Sequence, residues 1–250
     1  MRLKIRIKNF LNKWIKGQVV TPTQIISVFN QSTKVSDADV EKATLAVSKQ
    51  LSRDVAPFWG LVPALEFVRK GGKPSPDSSP CVISDRPDVE GALGYHDEGR
   101  DGVSYIKVFC DPIFNSGGTA LTGSLSVSAV LSHEVLELVG DGPANRWVDG
   151  PDGKDYAFEL CDAVEDTFYQ VDSVAVSNFL LPAFFDPQAS PQSRLDFLGL
   201  LSKPFSLTPG GYQIVRTETG KVSQVWGDVF PSWKKPAKAR KASLRRFDRG

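Results

Sequence analysis

Apolar positions in the first third of the chain repeat at a helical period and then give way to short apolar runs. Val40, Ala43, Val47, Leu51 and Val55 fall at i, i+3, i+7, i+11 and i+15, one stripe of an α-helix. The spacing predicts a helix over 36–55, capped by Ser36 or Asp37 and ended by Pro57-Phe58-Trp59-Gly60. Three runs then read as strands because they are β-branched or aromatic and bounded by turn residues: Leu65-Glu66-Phe67-Val68, Cys81-Val82-Ile83 and Ser104-Tyr105-Ile106-Lys107-Val108-Phe109. The Gly-, Pro- and Ser-rich stretch 71–80 reads as a loop, and Gly91-Ala92-Leu93-Gly94-Tyr95-His96 as an edge strand.

The helical period returns over 125–139. Val127, Val130, Leu131, Val135 and Leu138 form its buried side, and Ser126, His133 and Glu137 fall on another. Gly140 and Pro143 supply stop signals. A second helix is expected over 156–164. Beyond Pro187 the chain is punctuated by Pro, Gly and Ser, with short strands expected at 212–215 and 224–226. No internal repeat is visible.

The second periodic helix carries the chemistry. Residues 132–140 read Ser-His-Glu-Val-Leu-Glu-Leu-Val-Gly, an H-E-x-x-E pattern, and the chain has only two histidines. Zinc peptidases of the zincin type place H-E-x-x-H on a helix, two ligands one turn apart with the intervening Glu as general base. His133 and Glu137 keep that spacing, so both can reach one ion. Glu134 is offset by about 100° on the helix, where a carboxylate can hold a water at the metal. A third ligand must come from elsewhere, and Glu159-Leu160-Cys161-Asp162 is the best donor, with Glu159 and Asp162 sharing a face of the expected helix. H-E-x-x-E alone is a weak pattern, since a His and a Glu on a solvated helix face need no metal. Such a site holds one His and two or three carboxylates, so zinc is expected, with Mn, Ca or Fe as other divalent candidates. The second histidine, His96, reads as a strand residue bonded locally in preference to a ligand or transition-state donor. Cys161 reads as a buried small side chain in preference to a ligand.

Charge changes the picture at the two ends. Residues 1–17 hold six Lys/Arg and no acid, and residues 231–250 hold eight Lys/Arg and only Asp248, which leaves the body between them at −12. Basic arms on an acidic body point to an anionic surface: nucleic acid, membrane or another protein. Solvated, disordered ends are the plain alternative. The N-terminus alternates charged and apolar residues, with Phe10, Leu11, Trp14 and Ile15 at helix-like spacing. It lacks the apolar core of a secretory signal, and no stretch is long enough to span a bilayer. Three cysteines at no zinc-ribbon or redox spacing fit a reducing compartment.

At these residues the chain resembles a zincin-like family encoded by bacteriophages and bacteria. The resemblance covers 36–230. It rests on Ala56-Pro57-Phe58-Trp59-Gly60, on Gly91 to His96 as an edge strand, on Leu131 to Glu137, on Trp147, and on Glu159-Leu160-Cys161-Asp162. The helix with its following Gly140 is also similar to metzincins, and departs from them at Glu137 and Pro143. The downstream Glu-x-x-Asp is closer to the gluzincin arrangement. The resemblance implies an α+β fold: a small mixed sheet packed on an active-site helix, with residues 1–35 as a basic N-terminal arm, 36–230 as the zincin-like domain and 231–250 as a basic C-terminal tail.

Two functions are compatible with that domain. In a metal-dependent peptidase, Glu134 takes a proton from water activated by the ion, and His96 or Tyr95 stabilises the oxyanion of a polypeptide substrate. In a structural virion protein, such as a head–tail or tail component, the metal site is vestigial or structural and the arms contact neighbouring subunits. Nucleic-acid contact through the arms has only charge behind it. The phage setting implies the bacterial host cytoplasm or the virion as location.

Overall fold

A computed structural model of the chain describes residues 24–61 and 63–228. The basic segments 1–17 and 231–250, with the helix-like spacing near Trp14, lie outside the described residues. The fold is mixed α and β, as expected. It opens with β1 (Ile25–Asn30) and then α1 (Asp37–Gln50). Ser36 caps α1 by accepting from the Asp39 amide. The helix continues through a π-helical turn at Leu51–Val55 into the short α2 (Ala56–Trp59). Gly60, in the left-handed region at φ 65°, ends it. The chain then forms β2 (Ala64–Val68), β3 (Ser79–Ser84), β4 (Gly94–Glu98) and β5 (Ser104–Phe109).

These strands make one sheet in the order β2-β1-β3-β5-β4. β1, β2, β3 and β5 run parallel, and β4 pairs antiparallel with β5 at the end of the sheet. One correction follows for the chain's organisation. Ile25–Asn30 is an interior strand flanked on both sides, and Ile26 and Val28 are fully buried. The folded domain therefore begins before residue 36, and residues 24–35 are not an arm.

After α3 (Cys110–Asn115), Ser126 caps α4 (Val127–Asp141) by accepting from the Ala129 amide. α4 packs against β4, β5 and α1. Every residue of α4 except Val139 is buried. Val127, Leu131, Val135, Leu136 and Leu138 join the main core with Val40, Val47, Leu51, Ile83 and Ile106. The side that carries His133 and Glu137 is buried too, so these two are not residues of a solvated helix face.

Gly140 also departs from expectation. It lies inside α4, and a β-carbon there would meet Leu160 Cγ at 2.8 Å. Its role is close packing rather than a turn. Gly142 caps the helix and Pro143 follows.

The remainder builds a second sheet from β6 (Trp147–Asp149), β7 (Asp155–Ala157), β10 (Tyr212–Arg216) and β11 (Val222–Trp226), in the order β11-β10-β7-β6. A hairpin of β8 (Phe168–Val171) and β9 (Val174–Ser177) lies between them in sequence, and β9 packs on α4. The helix expected over 156–164 is absent. Residues 155–157 are β7, and only Asp162–Val164 form a 3₁₀ turn. The backbone there bonds to distant partners instead of to its own next turn. Phe158 N–H donates to Arg146 O at 3.1 Å, Leu160 O accepts from Leu180 at 2.7 Å, and Ala163 O accepts from Thr208 at 3.0 Å. No helix among the described residues is long and apolar enough to cross a membrane.

Gly140→Ala tests the seating of α4. Overpacking costs about 1–3 kcal/mol, and alanine returns up to about 1 kcal/mol of helix propensity. A net loss lowers the melting temperature by about 2–8 °C in a chain of this size. An unchanged melting curve overturns the Gly140–Leu160 contact.

Candidate metal centre

Two successive turns of α4 present His133, Glu134 and Glu137 to the interior, and two other segments meet them there. β4 supplies His96. Strand alternation sends its neighbour Tyr95 to the other side, where its hydroxyl donates to Asp88 at 3.1 Å and its ring packs on Tyr105 and Phe109. Tyr95 is thus excluded as the oxyanion donor once considered beside His96. The irregular segment after β7 supplies Glu159 and Asp162. The C-terminal residue of α4 supplies Asp141. All six of His96, His133, Glu134, Glu137, Glu159 and Asp162 are buried, with exposures from 1% for Glu137 to 9% for His96.

The distances are those of a ligand cluster. His133 Nε2 lies 2.9 Å from Glu137 Oε1 and 3.3 Å from Asp162 Oδ1. His96 Nδ1 lies 3.6 Å from Glu134 Oε2 and 3.4 Å from Glu137 Oε2. His96 Nε2 lies 4.0 Å from Glu159 Oε2 and 3.2 Å from the Asp141 carbonyl. The i, i+4 pair and the downstream acids therefore converge as the spacing predicts. Glu159 and Asp162 do not share a helix face. They reach different histidines, Asp162 toward His133 and Glu159 toward His96.

Close approach of the edge strand to the helix depends on Gly94. A β-carbon there would meet Val130 Cγ1 at 2.8 Å and Glu134 Cγ at 3.0 Å. Beneath the cluster a polar triangle ties α1, α4 and β9 together. Ser132 Oγ donates to Gln50 Oε1 at 2.7 Å, Gln50 donates to Ser177 O at 2.8 Å, and the Ser177 amide donates to Ser132 Oγ at 3.0 Å. A small recess beside Glu159 and Asp162 is lined by Leu180, Phe184, Phe185 and Ile214.

Burial by itself lowers the pKa of a histidine, yet both imidazoles are held well above their ordinary value. For His133 the causes are the Glu137 and Asp162 carboxylates. For His96 they are Glu134, Glu137 and Glu159. The Cys161 thiol is pushed well above its ordinary range by burial. It belongs to neither ligand set among the described residues, in keeping with a packing role.

The donor set fits a divalent ion. Imidazole nitrogens and carboxylate oxygens suit Zn, Mn and Fe. Two atoms bonded to one ion at about 2.1 Å lie about 3.0–3.4 Å apart at right-angled or tetrahedral geometry; the separations are 2.9 and 3.3 Å at His133 and wider, from 3.4 Å, at His96. The histidine left aside by sequence reasoning, His96, is a full member of the cluster. Its signal was present in the chain: it is the only other histidine, on a strand expected to edge the sheet. Comparison with protein-family models, curated proteins and solved structures returns no match.

With ions removed by a chelator, the raised histidine pKa values set the direction of the pH response. Imidazoliums paired with buried carboxylates contribute stability that is complete below the unfolded-state value of about 6.5. That contribution is lost as pH rises through the higher folded values. The melting temperature of the chelated protein should therefore fall on raising the pH above about 6.5, and His133→Gln should flatten the decline. A chelated protein whose stability rises over that interval contradicts the proton-bearing cluster.

Proposed function

We propose that the chain is a metal-dependent hydrolase on a zincin-like domain, acting on peptide bonds. The observation that carries the proposal is the convergence of His133, Glu137 and Asp162, with Glu134 on the same helix beside them. The mixed sheet, its antiparallel edge strand and the buried motif helix are what the resemblance to zincin-like proteins implies, and they support it. His133, Glu137 and Asp162 would hold the ion, zinc or another divalent metal. Bound there, it would lower the pKa of a coordinated water and polarise a carbonyl. Glu134 would accept a proton as water adds to the carbonyl carbon, and would return it to the amine as the C–N bond breaks. His96, brought to the cluster by β4, would stabilise negative charge on the carbonyl oxygen. Among the described strands β4 ends the sheet, so its outer edge can pair with an extended polypeptide and lay it across the cluster.

One observation favours a second reading. The whole cluster is buried, which suits an ion that holds the fold together. In that reading the chain is a structural component, such as a head–tail or tail protein of a virion, with Glu134 serving no base.

Glu134→Gln separates the two. The amide cannot take a proton but preserves size. Purified protein loaded with zinc should cleave casein or a peptide library, lose cleavage on chelation, and lose roughly 10²–10⁴-fold activity in the variant, with an unchanged melting temperature. Equal cleavage by the variant removes Glu134 from the mechanism. A wild type that keeps its ion and cleaves nothing establishes the structural reading.

A further inference from the structure

Glu137 stands where H-E-x-x-H would place a second histidine, and it faces two ways. Its Oε1 lies 2.9 Å from His133 Nε2, and its Oε2 lies 3.4 Å from His96 Nδ1. The candidate ligands fall into two sets that share it: His133, Glu137 and Asp162 on one side, and His96, Glu134 and Glu137 on the other. Among the described residues, no set of three mutually close ligand atoms contains both histidines. A single ion bonded to both imidazoles is therefore not what this geometry accommodates. Two ions are.

We propose that the cluster binds two divalent cations, one in each set, bridged by the Glu137 carboxylate. The inference rests on the metal-binding reading above and extends it to a second, separate site. Three observations carry it. Each set offers one imidazole nitrogen and two carboxylate oxygens, at separations of 2.9–3.3 Å in the first and 3.4–3.6 Å about His96 in the second. His96 is held in the required tautomer. Its Nε2–H donates to the Asp141 carbonyl at 3.2 Å, which leaves Nδ1 as the nitrogen that faces Glu134 and Glu137. Finally, Glu137 is 1% exposed, and its Oε1 receives no hydrogen bond of good geometry although His133 Nε2 is close. An oxygen so placed faces the imidazole as one metal ligand faces another.

The bridge explains the departure from H-E-x-x-H. A histidine at 137 turns one nitrogen toward the cluster, whereas a glutamate turns two oxygens and can serve both ions. Paired ions joined by a carboxylate lie about 3.5–4 Å apart and clamp the two oxygens of a displacement between them. In this arrangement Glu134 holds the second ion and is not the general base of the one-ion reading. Glu159, 4.0 Å from His96 Nε2, is the remaining carboxylate beside it.

The test is made on the full chain, stripped of metal by chelation and titrated with Mn²⁺. Elemental analysis gives the ion count, and electron paramagnetic resonance reports coupling between ions. Two Mn²⁺ per chain, with the exchange-coupled spectrum of a bridged pair, is the expected result. His96→Ala and His133→Ala should each retain one ion with an uncoupled spectrum, and Glu137→Gln should lose the coupling. Circular dichroism checks that each variant is folded. The wild-type count and spectrum need no variant, so a variant that fails to fold leaves the test intact. One ion per chain, or two without coupling, overturns the bridged pair and leaves the hydrolase reading standing. No bound ion overturns both.

Discussion

A buried carboxylate keeps its charge only where something compensates the lost solvation, and Glu137 is buried on a helix that is itself almost wholly interior. The surrounding architecture is arranged about that demand. β4 brings His96, the motif turn brings His133, and the segment after β7 brings Asp162 and Glu159. Two of these approaches are made possible by a missing side chain. Gly94 lets the edge strand come down on Val130 and Glu134, and Gly140 lets Leu160 seat against the helix. Added β-carbons at these points would separate groups from different segments that now sit 3.3–4.0 Å apart.

Such a cluster also needs a rigid floor, because ligand geometry tolerates little displacement. The triangle of Ser132, Gln50 and Ser177 supplies it. Its buried polar groups bond to one another across three elements, so Ser132, next to His133, is fixed to both α1 and β9. The apolar residues of α4 fix the rest by close packing. Site and core are thus one unit, and damage to either is expected to appear in the other.

Much of this was legible in the chain. The stripe from Val40 to Val55 marked α1 and its extension, the apolar runs marked β2, β3 and β5, and the spacing of His133 and Glu137 marked a shared site. What was not legible depended on tertiary partners. Ile25–Asn30 reads as an ordinary short apolar run, and only its burial between β2 and β3 makes it interior. Tyr156 to Val164 has helix-like spacing, yet its carbonyls are taken by Leu180 and Thr208, far along the chain. Gly140 resembles a helix stop because sequence shows a glycine's freedom and not its neighbour Leu160. His96 looked local because its partners lie on α4, more than thirty residues away in sequence.

With Glu at 137 the cluster has two ways to be neutralised, and they exclude each other. Protons on His96 and His133 pair with the carboxylates and draw the imidazoles together with them, which is why both pKa values are raised. Metal ions require the same nitrogens unprotonated. An ion binding there would therefore expel protons, and acid would expel the ion, through the same atoms. A site that had merely decayed would have no reason to keep the His96 tautomer fixed by Asp141, or two oxygens of one carboxylate aimed at two imidazoles. The geometry costs desolvation whether or not an ion is bound, and a bound cation is the partner that offsets it without protonating the ligands.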